Sequence, residues 1–123
     1  MNKKVLVVED SSYMRSLIAS TIDEINGCEV IEAGNGFEAL RMLPVHKFAI
    51  IITDINMPDI NGLEIVNFVK SSPSYKDIPL IIVTTEQSEE DRKKGIALGA
   101  SEYITKPFDP EDLKDIVKKV LKY

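Results

Sequence analysis

The sequence predicts a single doubly wound α/β domain, residues 1–123: a parallel sheet of five strands flanked by five helices on its two faces. Two observations predict it. Short uninterrupted apolar runs rich in β-branched residues, the pattern of strands buried on both faces, occur at Val5-Leu6-Val7-Val8, Phe48-Ala49-Ile50-Ile51-Ile52 and Leu80-Ile81-Ile82-Val83. Segments with apolar residues at helical spacing separate the strands, and strand and helix alternate along the whole chain without an internal repeat or a linker.

In chain order, the first strand ends in Glu9 and Asp10, and Ser11 or Ser12 caps the helix that follows. Met14, Leu17, Ile18, Ile22 and Ile25 give that helix one apolar face, and Asn26-Gly27 stops it. Cys28 to Ala33 is a short second strand broken by Gly34-Asn35-Gly36, and Phe37 to Leu43 is a short helix ended by Pro44. The third strand runs through Thr53 and delivers Asp54 to its carboxyl end. Asn56-Met57-Pro58 cannot continue a central strand, because proline donates no ladder hydrogen bond and restricts the residue before it.

Beyond Asn61-Gly62, a third helix carries Leu63, Ile65, Val66, Phe68 and Val69, and Ser71-Ser72-Pro73-Ser74 is a loop. The fourth strand follows Pro79 and ends in Thr84-Thr85-Glu86. Gln87 to Leu98 reads as a helix supported by the pairs Glu89–Lys93 and Glu90–Lys94. Its first two turns hold no large apolar residue and Gly95 weakens it, so it is expected to be the least firmly held element. Ser101 to Thr105 is a fifth strand that meets Lys106-Pro107. Asp109-Pro110-Glu111-Asp112 then opens the last helix with a cap, an N1 proline and first-turn acids, and Leu113, Ile116, Val117, Val120 and Leu121 line its buried face.

Composition excludes several classes. With 44% hydrophobic and 28% charged residues the chain is an ordinary globular domain. Its apolar runs are far shorter than the roughly twenty residues that span a bilayer. Glu9 and Asp10 interrupt the apolar stretch after Lys3 and Lys4 too early for a signal peptide, so no membrane insertion and a cytoplasmic location are expected. Cys28 is the sole cysteine, read as a small core residue, which excludes a disulfide framework and a multi-thiolate zinc site, and His46 is the sole histidine, read as a solvated loop residue with no second ligand at metal spacing. The net charge of -5 disfavours direct binding to nucleic acid.

Polar residues end four of the five strands: Glu9 and Asp10, Asp54, Thr84 and Thr85, and Lys106. Taken singly, each is an ordinary polar residue at a solvent boundary. Together, a carboxylate cluster, a hydroxyl and a lysine at one sheet edge make a site for a divalent cation with oxygen ligands, and for an anionic group between that cation and the lysine.

Glu9-Asp10, Asp54 with Asn56-Met57-Pro58 and Gly62, Val83-Thr84 and Lys106-Pro107-Phe108 resemble, in order and spacing, the receiver domain of bacterial two-component response regulators. The segment Asp10-Ser11-Ser12-Tyr13-Met14-Arg15, with Asn56 and Tyr103, is most similar to the stand-alone, CheY-type chemotaxis members. The resemblance implies a flavodoxin-like sheet of strand order 2-1-3-4-5, an order for which CheY is itself a standard example, so it comes with the family and not from the spacing. It implies that Asp54 is the nucleophile, becoming 4-aspartylphosphate at the expense of a phosphohistidine on a sensor histidine kinase or histidine phosphotransfer protein, or of a small acyl phosphate. Mg²⁺, for which Mn²⁺ or another divalent cation can substitute, would be ligated by Asp10, Asp54 and the Asn56 backbone carbonyl, with Glu9 acting through water. Lys106 and Thr84 would contact the phosphoryl oxygens, Thr84 and Tyr103 would form the switch, and the Lys106-Pro107 peptide would be cis.

On this resemblance the chain is a signalling switch, not a substrate-turnover enzyme, with an output such as a flagellar motor switch component. A phosphorelay shuttle, a phosphate sink, the receiver of a longer regulator and a non-phosphorylated interaction module stay open. Two departures from the common family pattern concern reach and access. Glu9 stands where many members have aspartate. Thr85 is larger than the alanine or glycine often found there and is expected to narrow access to the phosphoryl group, while Glu86 can orient attacking water. Lys114, Lys118 and Lys122 form a basic stripe on the last helix, read first as a solvated face and alternatively as a dock for an acidic partner. A flavin site is disfavoured because the first strand leads into acids. An aspartyl phosphatase would place a second acid where Asn56 stands.

Overall fold

A computed structural model describes residues 2–85 and 89–123. The elements in chain order are β1 (Lys3–Val8), α1 (Ser12–Asp23), β2 (Cys28–Ala33), α2 (Gly36–Met42), β3 (Phe48–Thr53), α3 (Gly62–Ser71), β4 (Leu80–Thr84), α4 (Glu89–Leu98), β5 (Glu102–Thr105) and α5 (Pro110–Leu121). The strands pair in the order β2-β1-β3-β4-β5 and every pair is parallel. Of the expected fourth helix, Gln87 and Ser88 lie outside the described residues, as does Glu86 before it.

The apolar runs form the three central strands because both of their faces are covered. Alternation of side chains splits them between two cores. Leu6, Val8, Ile51, Leu80 and Ile82 point to the face that carries Ala39 of α2 and Ile65, Val66 and Val69 of α3. Val5, Val7, Ile50, Ile52, Ile81 and Val83 point to the other, against Ile18 and Ile22 of α1 and Leu113, Val117 and Leu121 of α5. None of these central-strand residues is more than 1% exposed, and each fully buried aliphatic side chain contributes about 1.5–3 kcal/mol of transfer free energy.

Helix starts follow the capping residues. Ser11 accepts from Met14 N–H, Asn35 from Glu38 N–H, and Asn61 from Leu63 N–H with Glu64 completing a capping box. Asp109 caps α5 with Pro110 at its start. α1 stops at Asp23, and Gly27 turns the chain into β2 at φ +86°, a conformation other residues resist.

The third helix forms as expected with one of its apolar residues turned outward, and the readings of Cys28, His46 and Gly95 change. Phe68 is 44% exposed on α3 and meets Tyr75 at a ring separation of 6.4 Å, because the sheet-facing stripe of that short helix is filled by Ile65, Val66 and Val69. Cys28 is half-buried at the start of edge strand β2, with its Sγ 3.9 Å from the Tyr123 hydroxyl. His46 is half-buried, its Nδ1 3.2 Å from Lys4 Nζ and its ring tilted against Phe48. Gly95 does more than weaken α4: among the described residues it is that helix's buried position, and a Cβ there would stand 2.7 Å from Ile82 Cδ1. The missing side chain is what lets α4 approach the sheet.

Candidate functional site

The site begins with two hydrogen bonds that carry the ladder past the strand ends. Glu9 N–H donates to the Ala33 carbonyl and Asp54 N–H to the Val8 carbonyl, each at 3.1 Å. The first loop residue after β1 and after β3 is thereby held in register, which sets Glu9 and Asp54 side by side. Both are buried, while Asp10 is exposed. Carboxylate oxygens of all three lie within 4.8 Å of one another.

Lys106 reaches them from the end of β5. Its backbone N–H donates to the Thr84 carbonyl at 2.8 Å, and its peptide bond to Pro107 is cis. Its Nζ donates to Glu9 Oε1 at 2.5 Å and to Asp54 Oδ2 at 3.1 Å. The second oxygens are held by the backbone: Glu9 Oε2 accepts from Ser11 N–H at 3.1 Å and Asp54 Oδ1 from Asn56 N–H at 3.2 Å.

These contacts bias protonation. Burial raises the Glu9 pKa above 4.5, the Asp54 charge adds to that, and the hydrogen bonds from Lys106 and Ser11 oppose it. Burial works against the Lys106 ammonium, but the Glu9 hydrogen bond and the charges of Asp54 and Glu9 outweigh it and hold its pKa above 10.5. Lys106 pairs with only two of the three carboxylates, Glu9 and Asp54. The donor set is therefore short of positive charge and made of hard oxygens, which fits a Mg²⁺-like cation.

Thr84 is fully buried at the carboxyl end of β4, and Thr85 beside it is exposed. Glu86 lies outside the described residues. Asn56 is exposed on the loop after β3. Tyr103 is 8% exposed, covered by α4: the Arg92 guanidinium carbon stands 5.8 Å from its ring centroid, and a Cβ on Gly95 would come within 3.6 Å of its Cδ2. Glu9, Asp10, Asp54 and Lys106 thus meet in one cluster, joined to Thr84 through the Lys106 backbone, with Tyr103 on β5 under α4.

The basic stripe of the last helix is not continuous. Lys114 is half-buried and pairs with Glu24 at 2.7 Å and Glu111 at 3.0 Å, tying α5 to α1, while Lys118 and Lys122 are exposed. A lysine four residues from another reads as a stripe in sequence, but the acid that neutralises it comes from a distant helix end.

Sequence reasoning gave no role to three residues around the site. Arg15 donates from Nη1 to the Glu9 carbonyl, Asp59 accepts from Gly36 and Phe37 N–H, and Gly62 packs on the Asp54 backbone. Gly62 and Arg15 stand in the segments that carry the family resemblance, which names them without giving their contacts, and nothing local signals Asp59.

A five-stranded sheet in this order, with an acidic cluster and a lysine at its carboxyl edge, defines a receiver domain. The family model for the response regulator receiver domain matches residues 5–118, and the chain belongs to that family. Within it, similarity runs to chemotaxis proteins. The chain is 41% identical over 119 residues to the chemotaxis protein CheY homolog of Campylobacter jejuni, covering 96% of this chain and 92% of that protein. It is 40% identical to CheY1 of Helicobacter pylori, covering 96% of each. The structure of the chemotaxis response regulator CheY4 of Vibrio cholerae superimposes with a TM-score of 0.88 at 38% identity, covering 98% of this chain and 99% of that one. Among the described residues, no helix is long and apolar enough to cross a membrane.

Proposed function

We propose that this receiver is a phosphorylation switch in which Asp54 accepts a phosphoryl group and the changed surface controls a chemotaxis output. The observation that carries this reading is the convergence of Glu9, Asp10 and Asp54 with Lys106 bonded to two of them. Asp10, Asp54 and the Asn56 carbonyl would hold Mg²⁺, with Glu9 acting through water. When bound, the cation supplies the charge neutralisation that lets an anionic phosphoryl group enter a carboxylate cluster.

The chain's own groups do the rest. An Asp54 carboxylate oxygen attacks phosphorus, and a new O–P bond forms as the bond to the donor breaks. The electron pair leaves on the imidazole nitrogen of a kinase phosphohistidine, or on the carboxylate of an acyl phosphate. Lys106, already 3.1 Å from Asp54, transfers its hydrogen bonding to the phosphoryl oxygens. Thr84 follows with its hydroxyl, and Tyr103 and α4 rearrange together, because the ring lies under that helix. Thr85 borders the site and Glu86 orients water for hydrolysis. The partners are a sensor histidine kinase or phosphotransfer protein and an output protein of the flagellar switch kind, in the cytoplasm.

The test is intact-mass analysis after incubation with acetyl phosphate and Mg²⁺, with Asp54→Asn and a metal-free control beside it. One added phosphoryl group, dependent on both Asp54 and the metal, is the expected result. No addition to a folded, Mg²⁺-binding protein, and none on exposure to phosphorylated kinases, would leave an interaction module that kept the fold and lost the chemistry.

A further inference from the structure

Arg15 is the fourth residue of α1, and its side chain reaches back to the loop that joins β1 to that helix. Its Nη1 donates to the Glu9 carbonyl at 2.9 Å, and its Nε pairs with Glu32 on β2 at 3.2 Å. The guanidinium passes over Gly34, where a Cβ would stand only 3.3 Å from Nη1. A side chain that is 24% exposed and held from two directions is not a solvated surface charge.

The carbonyl it holds belongs to the peptide that joins Glu9 to Asp10. Every other polar group of Glu9 is also engaged: its N–H by Ala33, Oε2 by Ser11 N–H, and Oε1 by Lys106. Ser11 then caps α1 through the Met14 N–H. Asp10 is exposed, so what aims it is the backbone on either side, and Arg15 fixes the plane of the peptide that precedes it.

We infer that Arg15 is a positioning residue for the cation site: by clamping the Glu9 carbonyl between α1 and the end of β2, it holds the Asp10 carboxylate where a Mg²⁺ ligand must be. This rests on the proposed reading of the acidic cluster as a Mg²⁺ site. Outer partners of metal ligands commonly contribute tenfold or more to metal affinity by restricting ligand orientation. The charge of Arg15 makes the idea testable by sign. A guanidinium beside a divalent cation repels it, so if Arg15 acted only through its field, neutralising it would tighten Mg²⁺ binding. If it acts by positioning, neutralising it weakens binding in spite of the removed repulsion.

The experiment is calorimetric titration of Mg²⁺ into the unphosphorylated wild-type chain, Arg15→Gln and Arg15→Lys, with metal-free urea unfolding of each. Expected are about tenfold weaker binding for Arg15→Gln and weaker binding for Arg15→Lys, which keeps the charge but cannot bridge Glu32 and the Glu9 carbonyl with a planar fork. Should either variant be poorly folded in the calorimeter, the Mg²⁺-induced rise in its urea midpoint reads the same affinity by linkage. Unchanged or tighter binding by Arg15→Gln overturns the positioning role. Absence of Mg²⁺ binding by the wild-type chain overturns the cation site itself, and with it this inference.

Discussion

A methyl group on Gly62 would stand 2.0 Å from the carbonyl oxygen of Asp54 and 2.8 Å from its carbonyl carbon. The start of α3 is pressed directly onto the backbone of the proposed nucleophile, and Gly62 N–H donates to the Ile55 carbonyl at 2.9 Å to keep it there. Gly62→Ala must therefore move backbone, not a flexible side chain. We expect a loss of about 3 kcal/mol, at the upper end of ordinary overpacking, read as a lower urea midpoint. Because the displaced atoms carry Asp54, acetyl phosphate should also label the folded variant about a hundredfold more slowly, the scale of a misplacement near 1 Å. A variant with normal labelling rate would show that the contact is relieved away from Asp54.

Asp54 set beside Gly62 and Gly95 shows what a sequence can carry. The β-branched run into Asp54 announced its strand, its burial and the residue at its end, and the structure places Asp54 there with Glu9, Asp10 and Lys106. Such runs report which face meets the sheet because periodicity is local. Gly62 and Gly95 read in sequence as a turn residue and a weak spot, yet both are close approaches to elements far along the chain. The same limit hid Asp59 at the start of α2, Arg15 on the Glu9 carbonyl and Glu24 on Lys114. Each is a pairing of loop or helix ends that only the assembled topology brings together.

Asp59 gives a pH test. The Phe37 N–H holds its pKa below 3.8, with the Ile60 and Gly36 amides adding to it and slight burial opposing. A carboxylate whose folded pKa is depressed contributes stability above its unfolded value and loses it as pH falls through the folded value. Asp59→Asn should therefore lower the urea midpoint above about pH 4, and its curve should converge with that of the wild-type chain as pH falls toward 2. A constant gap between the two curves across this range would assign the effect to shape instead of charge.

Helix α4 should exchange its backbone amides faster than α3 or α5. Among the described residues its buried position is Gly95, whereas α3 buries Ile65, Val66 and Val69 and α5 buries Leu113, Val117 and Leu121. Few buried apolar contacts mean a low cost of local opening. Hydrogen exchange read by mass spectrometry checks this, and under the proposed switch the α4 and Tyr103 peptides change most on phosphorylation. Protection of α4 equal to that of α5, unchanged by phosphorylation, would rule it out as the moving element.

Thr85 is exposed beside the fully buried Thr84. Its methyl group borders the approach to Asp54 in the proposed reading, so Thr85→Ala should speed both labelling by acetyl phosphate and loss of the label, by about threefold, a modest change in barrier. The decay of the phosphorylated mass after removal of donor measures it. Slower decay in the variant would mean that the threonine assists water instead of hindering it.

Lys106 makes the opposite prediction from Arg15, although both are cations at the same cluster. Its ammonium touches the carboxylate oxygens themselves, on Glu9 and Asp54, where a metal ion and a lysine compete for the same negative charge. Lys106→Met keeps the bulk of the chain and leaves two buried carboxylates facing each other, which should cost about 3 kcal/mol of metal-free stability at neutral pH. Mg²⁺ then supplies charge that the lysine no longer does, so the Mg²⁺-induced rise in urea midpoint should be larger in the variant than in the wild-type chain. Labelling by acetyl phosphate should nevertheless fall, because the phosphoryl oxygens lose their ammonium partner. Equal Mg²⁺ shifts in the two proteins would mean that Lys106 does not share its carboxylates with the cation. A cation in direct contact with the ligand oxygens weakens metal binding, whereas one behind the peptide that aims them strengthens it, and the two variants separate those cases by sign.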